Sequence, residues 1–146
     1  MIAITDMALL DLDAVYGVET RSFSIPWSKN ELRRELAENP LAYYKVARVD
    51  GTVAGYAGLW HVVDEGHICN IAVDEPFRRK GVGAALVTAL VALAQEKKLR
   101  GLTLEVRMGN TAAQKLYHKF GFVVEGLRKN FYNDPKEDAV IMWKYF

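Results

Sequence analysis

Residues 82–98 place Leu86, Leu90, Leu93 and Ala94 at helical spacing within a run of alanine, valine and leucine, and so apolar a helix must be covered over most of its surface. It opens from Arg78-Arg79-Lys80-Gly81-Val82-Gly83-Ala84, which follows a strand-like segment, residues 67–73, and the turn Asp74-Glu75-Pro76-Phe77. Strand, glycine-bearing turn and buried helix in succession require a sheet on which the helix can lie. At 146 residues the chain can build one such core but not two of full size, and residues 1–146 are expected to form a single domain. Its 51% hydrophobic and 25% charged residues are those of an ordinary globular protein that folds without covalent staples.

The other periodicities fill out that sheet. Residues 2–4 read as a short strand, and Leu12, Val15, Tyr16 and Glu19 set a helical period that stops before Ser24-Ile25-Pro26-Trp27. Ser28-Lys29-Asn30-Glu31 is a capping box, whose hydroxyl and carboxylate each satisfy a free amide at the start of a second helix running to Asn39-Pro40. Residues 43–49 and 53–60 are strands joined by Asp50-Gly51, the dipeptide of tight hairpins. Residues 102–107 alternate strictly, so Leu102, Leu104 and Val106 share one face and Glu105 emerges on the other. Asn110 caps a helix that Gly121 ends in the left-handed conformation. Residues 122–125, 128–132 and 139–146 close the chain as strands, the last two linked by Asn133-Asp134-Pro135-Lys136. The sum is an α/β (α+β) architecture, a mixed sheet with helices on both faces.

Charge and cysteine content narrow the function. Nineteen Lys and Arg against 18 Asp and Glu leave a net +1, too balanced for a general field on nucleic acid or a membrane surface, though a local cluster can bind phosphate. The single cysteine, Cys69, can form neither an internal disulfide nor a four-thiolate zinc site, and His61, His67 and His118 lack ligand spacing, so no metal is implied. Residues 1–10 carry Asp6 and no basic region, and no apolar run reaches spanning length; a cytoplasmic location is the expectation.

In the loop, backbone N–H groups and the helix dipole converge on one spot, which suits phosphate oxygens, and Gly81 and Gly83 remove Cβ atoms that would block a diphosphate. A turn with solvated basic residues is the plainer alternative. There is no Walker A string, and a dinucleotide fingerprint fails where Leu86 holds the third glycine position and Glu105 sits within a strand. Glu105 on a covered face would be costly unless paired or working, and burial would raise its pKa. Tyr117, between Ala113 and Phe120 on the core face, reads by itself as a packed aromatic.

The order of these motifs resembles a known family. The strand, residues 78–84, the apolar helix, Leu104-Glu105-Val106-Arg107, Asn110 and Leu116-Tyr117-His118-Lys119-Phe120-Gly121-Phe122 look like the GCN5-related N-acetyltransferases (GNAT). Pro26-Trp27-Ser28, Asn70-Ile71-Ala72-Val73, Arg128-Lys129-Asn130-Phe131-Tyr132 and Glu137-Asp138-Ala139 with Met142 are similar to the RimI-type branch, which modifies the N-terminal alanine of a small-subunit ribosomal protein. Phe131 departs from it, standing where relatives often carry tyrosine.

The resemblance implies the GNAT fold, with a mostly antiparallel central sheet, and acetyl-CoA as co-substrate. Ile71, Ala72 and Val73 would meet the pantetheine arm; Arg79, Lys80, Gly81, Val82, Gly83 and Ala84 would hold the diphosphate; and Asn110 would contact the cofactor. Glu105 would be the general base and Tyr117 the general acid, while Trp27 and Tyr132 would contact the acceptor, the N-terminal peptide of a ribosomal protein. Asp64-Glu65 and Glu137-Asp138 could attract basic residues behind its alanine, or be merely solvated. Direct attack in a ternary complex is expected. The alternative is an acetyl-enzyme on Cys69, with His67 on the same strand face. Acetylation of another protein N-terminus, a lysine or a small amine, and a catalytically silent acetyl-CoA-binding or partner-binding module, are competing readings.

Overall fold

The computed structural model describes residues 1–146. Along the chain run β1 (Ile2–Asp6), α1 (Leu12–Ser22), α2 (Lys29–Glu38), β2 (Ala42–Val49), β3 (Thr52–Val62), β4 (Glu65–Val73), α3 (Val82–Glu96), β5 (Gly101–Arg107), α4 (Thr111–Lys119), β6 (Val123–Asn133) and β7 (Lys136–Tyr145). Local chemistry sets most of these boundaries. Asp50 and Gly51 take φ angles of 49° and 85°, turning β2 into β3. Ser28 Oγ accepts from Glu31 N at 3.1 Å while Ser28 N donates to Glu31 Oε1 at 3.1 Å, starting α2. Asn110 Oδ1 accepts from Ala113 N at 3.1 Å at the head of α4. Gly121, at φ 90°, releases the chain into β6.

The strands form one seven-stranded sheet in the order β1-β2-β3-β4-β5-β7-β6. Every pairing is antiparallel except β4 with β5, which is parallel and limited to Glu65↔Gly101, Gly66↔Leu102 and His67↔Thr103. Beyond those three rungs the two central strands separate. Along β4, Leu59 pairs with Ile68 and Gly58 with Asn70, leaving Cys69 as the extra residue of a β-bulge.

Two cores flank the sheet. On one face Val82, Leu86, Val87, Leu90 and Ala94 of α3 pack with Leu59, Leu102, Leu104, Tyr117 and Phe122. Leu86 and Leu90 are fully covered, and each such side chain contributes roughly 1.5–3 kcal/mol. On the other face Leu12, Val15 and Val18 of α1 and Leu32 of α2 pack with Tyr44, Val46, Tyr56 and Ala72. The expected break between residues 125 and 128 is absent. β6 is continuous, with irregular register at Val124/Gly126 and Arg128/Tyr132, because Ile141 and Val140 of β7 pair with Gly126 and Leu127 across the gap.

One long-range pair ties α1 to the start of the glycine loop. Arg21 donates from Nε and Nη2 to the two Asp74 oxygens at 2.9 and 2.8 Å, and this bonding holds the Asp74 carboxyl below the usual carboxylate range. A group depressed in the folded state stabilises fully above its unfolded value of about 4 and loses that contribution as pH falls through the lower folded value. Arg21→Ala is therefore expected to cost about 1 kcal/mol at pH 7, a modest figure because the arginine is 58% exposed. Urea unfolding should show the difference from the parent shrinking from pH 5 toward pH 2 or 3; a gap that widens in acid would be incompatible with this pair.

Candidate active site

The separation of β4 from β5 opens a cleft of about 630 Å³. Its floor is residues 68–71 and Val73 of β4 and Leu104 to Arg107 of β5; α4 contributes Tyr117, and Gly83 of α3 also lines it. The far rim is the α1–α2 loop with Trp27 and the β6–β7 turn with Tyr132. These rims touch where Ser24 Oγ donates to the Asp134 carbonyl at 2.7 Å. Because β4 has no ladder partner on this side after His67, the inner edge of residues 68–73 is open to a ligand's amide groups, except at the Val73 carbonyl, which accepts from Arg78 Nε at 2.9 Å.

At the glycine loop, Gly81 is the N-cap of α3 in the left-handed region at φ 84°, and Arg79 also has a positive φ of 63°. The first ladder bond of α3 is Ala85 N to the Gly81 carbonyl at 3.0 Å, so the N–H groups of Val82, Gly83 and Ala84 have no protein acceptor. With the exposed Arg79 and Lys80 beside them, those amides fit a diphosphate. Gly83 has a second role, since a Cβ there would lie 3.3 Å from Leu116 Cδ2 of α4.

Glu105, Tyr117, Ile71, Val73, Gly83, Asn110, Trp27 and Tyr132 all line the one cleft. Arg79, Lys80, Gly81, Val82 and Ala84 lie outside it at the α3 terminus, and the Ala72 side chain is packed in the α1–α2 core, leaving only its backbone for a ligand. Tyr117 is buried, its ring 5.7 Å from that of Phe122. Burial first, then Tyr132, pushes its phenol well above the ordinary tyrosine value, so it keeps its proton.

One expectation needs correction, and two of the open alternatives are not met. Glu105 is not on a covered face: its side chain is 35% exposed, lines the cleft and pairs with Arg128 at 3.2 Å. The acidic pairs are already engaged. Glu137 bonds Arg107 at 3.2 Å and Gly109 N at 2.7 Å, Asp138 accepts from Asn130 N at 2.8 Å, and Asp64 and Glu65 both hold Arg100. His67 does not activate Cys69; its Nε2 lies 3.4 Å from Glu65, and the thiol instead meets Tyr44 Oη at 3.6 Å. Burial pushes the Cys69 thiol up to about 11, which leaves little thiolate at neutral pH.

The periodicity reading of α1 missed Glu19, which is 2% exposed and borders the cleft. It accepts from Tyr56 Oη and, at 2.9 Å, from Trp27 N, and Asn70 Nδ2 donates to Tyr56 Oη at 2.9 Å. A carboxylate at a position predicted to face the core was the available signal. No three His, Cys, Asp or Glu side chains converge as metal ligands.

Comparison with known proteins agrees with this geometry. The acetyltransferase (GNAT) family matches residues 12–122. A Bacillus subtilis protein provisionally named as a ribosomal protein bS18-alanine N-acetyltransferase is 48% identical over 141 residues, 97% of this chain and 93% of its own. The Escherichia coli K12 protein named for the same activity is 35% identical over 144 residues, 97% and 96% of the two chains. The crystal structure of the E. coli ribosomal-protein-S18-alanine N-acetyltransferase superposes with a TM-score of 0.91 at 33% identity, covering 99% of this chain and 94% of that one. A Bacillus anthracis acetyltransferase structure in complex with acetyl coenzyme A shares the fold, with a TM-score of 0.82 at 24% identity and full coverage of both chains. With a fold of parted central strands, a family match over most of its length and relatives at 48% and 35% identity, the chain belongs to the GNAT acetyltransferase family and is an acetyl-CoA-dependent N-acetyltransferase.

Proposed function

We propose that the chain acetylates the α-amine of an N-terminal alanine, and that its acceptor is the N-terminal peptide of ribosomal protein bS18, the substrate in the names of its relatives. One observation carries the reading: a single cleft joins Glu105 and Tyr117, is rimmed by Trp27 and Tyr132, and ends beside the free amides of α3. Acetyl-CoA lies with its diphosphate on residues 79–84, its pantetheine along the open edge of Ile71, Ala72 and Val73, and Asn110 nearby. The peptide enters between the α1–α2 loop and the β6–β7 turn.

A peptide α-amine titrates at about 8 and must lose a proton before it attacks. Glu105 takes that proton through a water. The amine nitrogen then bonds to the thioester carbon, the carbon–sulfur bond breaks with its electron pair on sulfur, and Tyr117 donates a proton to the departing thiolate, while the second proton that the nitrogen sheds on becoming an amide passes through water to restore the phenol. Attack is direct, in a ternary complex, with no covalent acetyl-enzyme; the high thiol value of Cys69 supports this order. Residues 1–146 act as one catalytic domain in the cytoplasm, without nucleic acid or a membrane as partner. No helix is long and apolar enough to cross a membrane.

The test is intact-mass analysis of peptides beginning Ala, Ser, Met or Gly, together with a polyamine, incubated with enzyme and acetyl-CoA. One acetyl group on the α-amine, fastest for the bS18 peptide, is expected, and the enzyme incubated with acetyl-CoA alone should gain no mass at Cys69. Acetylation of the polyamine in preference to every peptide, or a stable adduct on Cys69, would reject the reading.

A further inference from the structure

Glu19, Tyr56 and Asn70 form a chain of hydrogen bonds whose direction is set at one end. Trp27 N–H can only donate, and it points at Glu19 Oε2; the other carboxylate oxygen accepts the Tyr56 hydroxyl. With its one O–H donated to Glu19, the Tyr56 oxygen is left as an acceptor and accepts a hydrogen bond from Asn70 Nδ2, 2.9 Å away. An asparagine can present either end of its amide, but here the NH₂ end is committed to Tyr56. Its carbonyl Oδ1 has no protein donor. Glu19 and Asn70 both border the cleft.

The bulge explains why Asn70 is on this side. With Cys69 as the extra residue, alternation is interrupted, so Cys69 meets Tyr44 and Asn70 meets Tyr56, both tyrosines belonging to the α1–α2 face. That is the face of β5 from which Glu105 emerges, opposite Leu104 and Val106.

We infer that Asn70 Oδ1 accepts an N–H of the incoming α-amine, and that Glu19 and Tyr56 are positioning residues that keep this carbonyl turned toward the acceptor. The inference rests on the proposed amine acceptor and adds to it the group that orients the nucleophile. A lone pair on nitrogen attacks productively only from one direction, and a fixed acceptor for an amine hydrogen aims it. Anchoring the amide through a buried carboxylate removes the flipped alternative, in which an NH₂ group would repel the amine hydrogens.

The experiment is steady-state kinetics of Asn70→Ala, Tyr56→Phe and the double variant with the alanine peptide. Asn70→Ala should lower kcat/KM for the peptide about tenfold, the loss of one well-placed hydrogen bond, with the KM for acetyl-CoA unchanged. Tyr56→Phe should lower it several-fold by freeing the amide to flip, and the double variant should be no worse than Asn70→Ala. Additive losses, or a peptide kcat/KM unchanged by either substitution, overturn the inference. In the parent enzyme, adding peptide with CoA should shift the Asn70 side-chain carbonyl resonance; a resonance that does not move overturns it independently of how the variants fold. Failure of the parent to acetylate the peptide would instead refute the proposed acceptor, so the two failures are distinct.

Discussion

Tyr117→Phe is expected to lower kcat by about 100-fold or more while the KM for acetyl-CoA stays close to that of the parent. The phenol is buried against Phe122 and donates to no protein acceptor, so its loss leaves packing intact and removes only the proton that the proposed mechanism gives to the leaving sulfur. Burial raises the pKa of the phenol, so it keeps its proton until a strong base such as a thiolate stands beside it. The companion Glu105→Gln should show a different signature. Its deficit is expected to be largest near pH 7 and to narrow above about pH 8, where the peptide amine loses its proton to solvent without help. Rate profiles from pH 6 to 10 measure both, and near-parental turnover in the two variants would remove the assigned acid and base together.

Gly55→Ala should be the most damaging single methyl group that the fold can receive near the site. A Cβ on Gly55 would stand 2.5 Å from the Ala72 carbonyl oxygen and 3.2 Å from Val73 Cα, both backbone atoms of β4. Backbone cannot rotate aside as a side chain can. Relief requires β4 to move off β3, where Gly55 pairs with Val73 and Tyr56 with Ala72. A cost of about 3 kcal/mol, or about 10 °C in Tm, follows for a clash of this kind. The displaced segment is also the edge on which the proposed pantetheine arm lies, so the KM for acetyl-CoA should rise in whatever protein remains folded. Thermal unfolding and acetyl-CoA titration test the two effects; a Tm equal to the parent's would show that β4 is free to shift.

Legibility followed the range of the interactions involved. The Asp50-Gly51 hairpin, the Ser28 capping box, the Asn110 cap and the buried stripe of α3 depend on neighbours within a turn or two, and each was readable from residue type and spacing. Glu105 and Tyr117 were found as candidates because a strand carboxylate and a tyrosine one helix later matched a known motif order. Their surroundings were not. Whether Glu105 is covered depends on which helix passes over β5, and what holds it, Arg128, lies 23 residues away. The Arg21–Asp74 pair spans 53 residues, and the Glu19–Tyr56 contact 37. Nothing in a local period announces such partners.

Alone, the sequence determined where the chain turns, which stripes are apolar, and that a phosphate-sized set of free amides would stand at the head of a buried helix. Those features arise from φ angles, caps and side-chain periodicity, which are properties of short segments. Only the tertiary structure decided that β4 and β5 part after three rungs, that a bulge turns Asn70 toward the α1–α2 face, and that a buried carboxylate lies behind it. Strand separation and hydrogen-bond direction are set by groups that meet only when the whole sheet has closed, so their cause is the packing of distant segments and not the order of residues within any one of them.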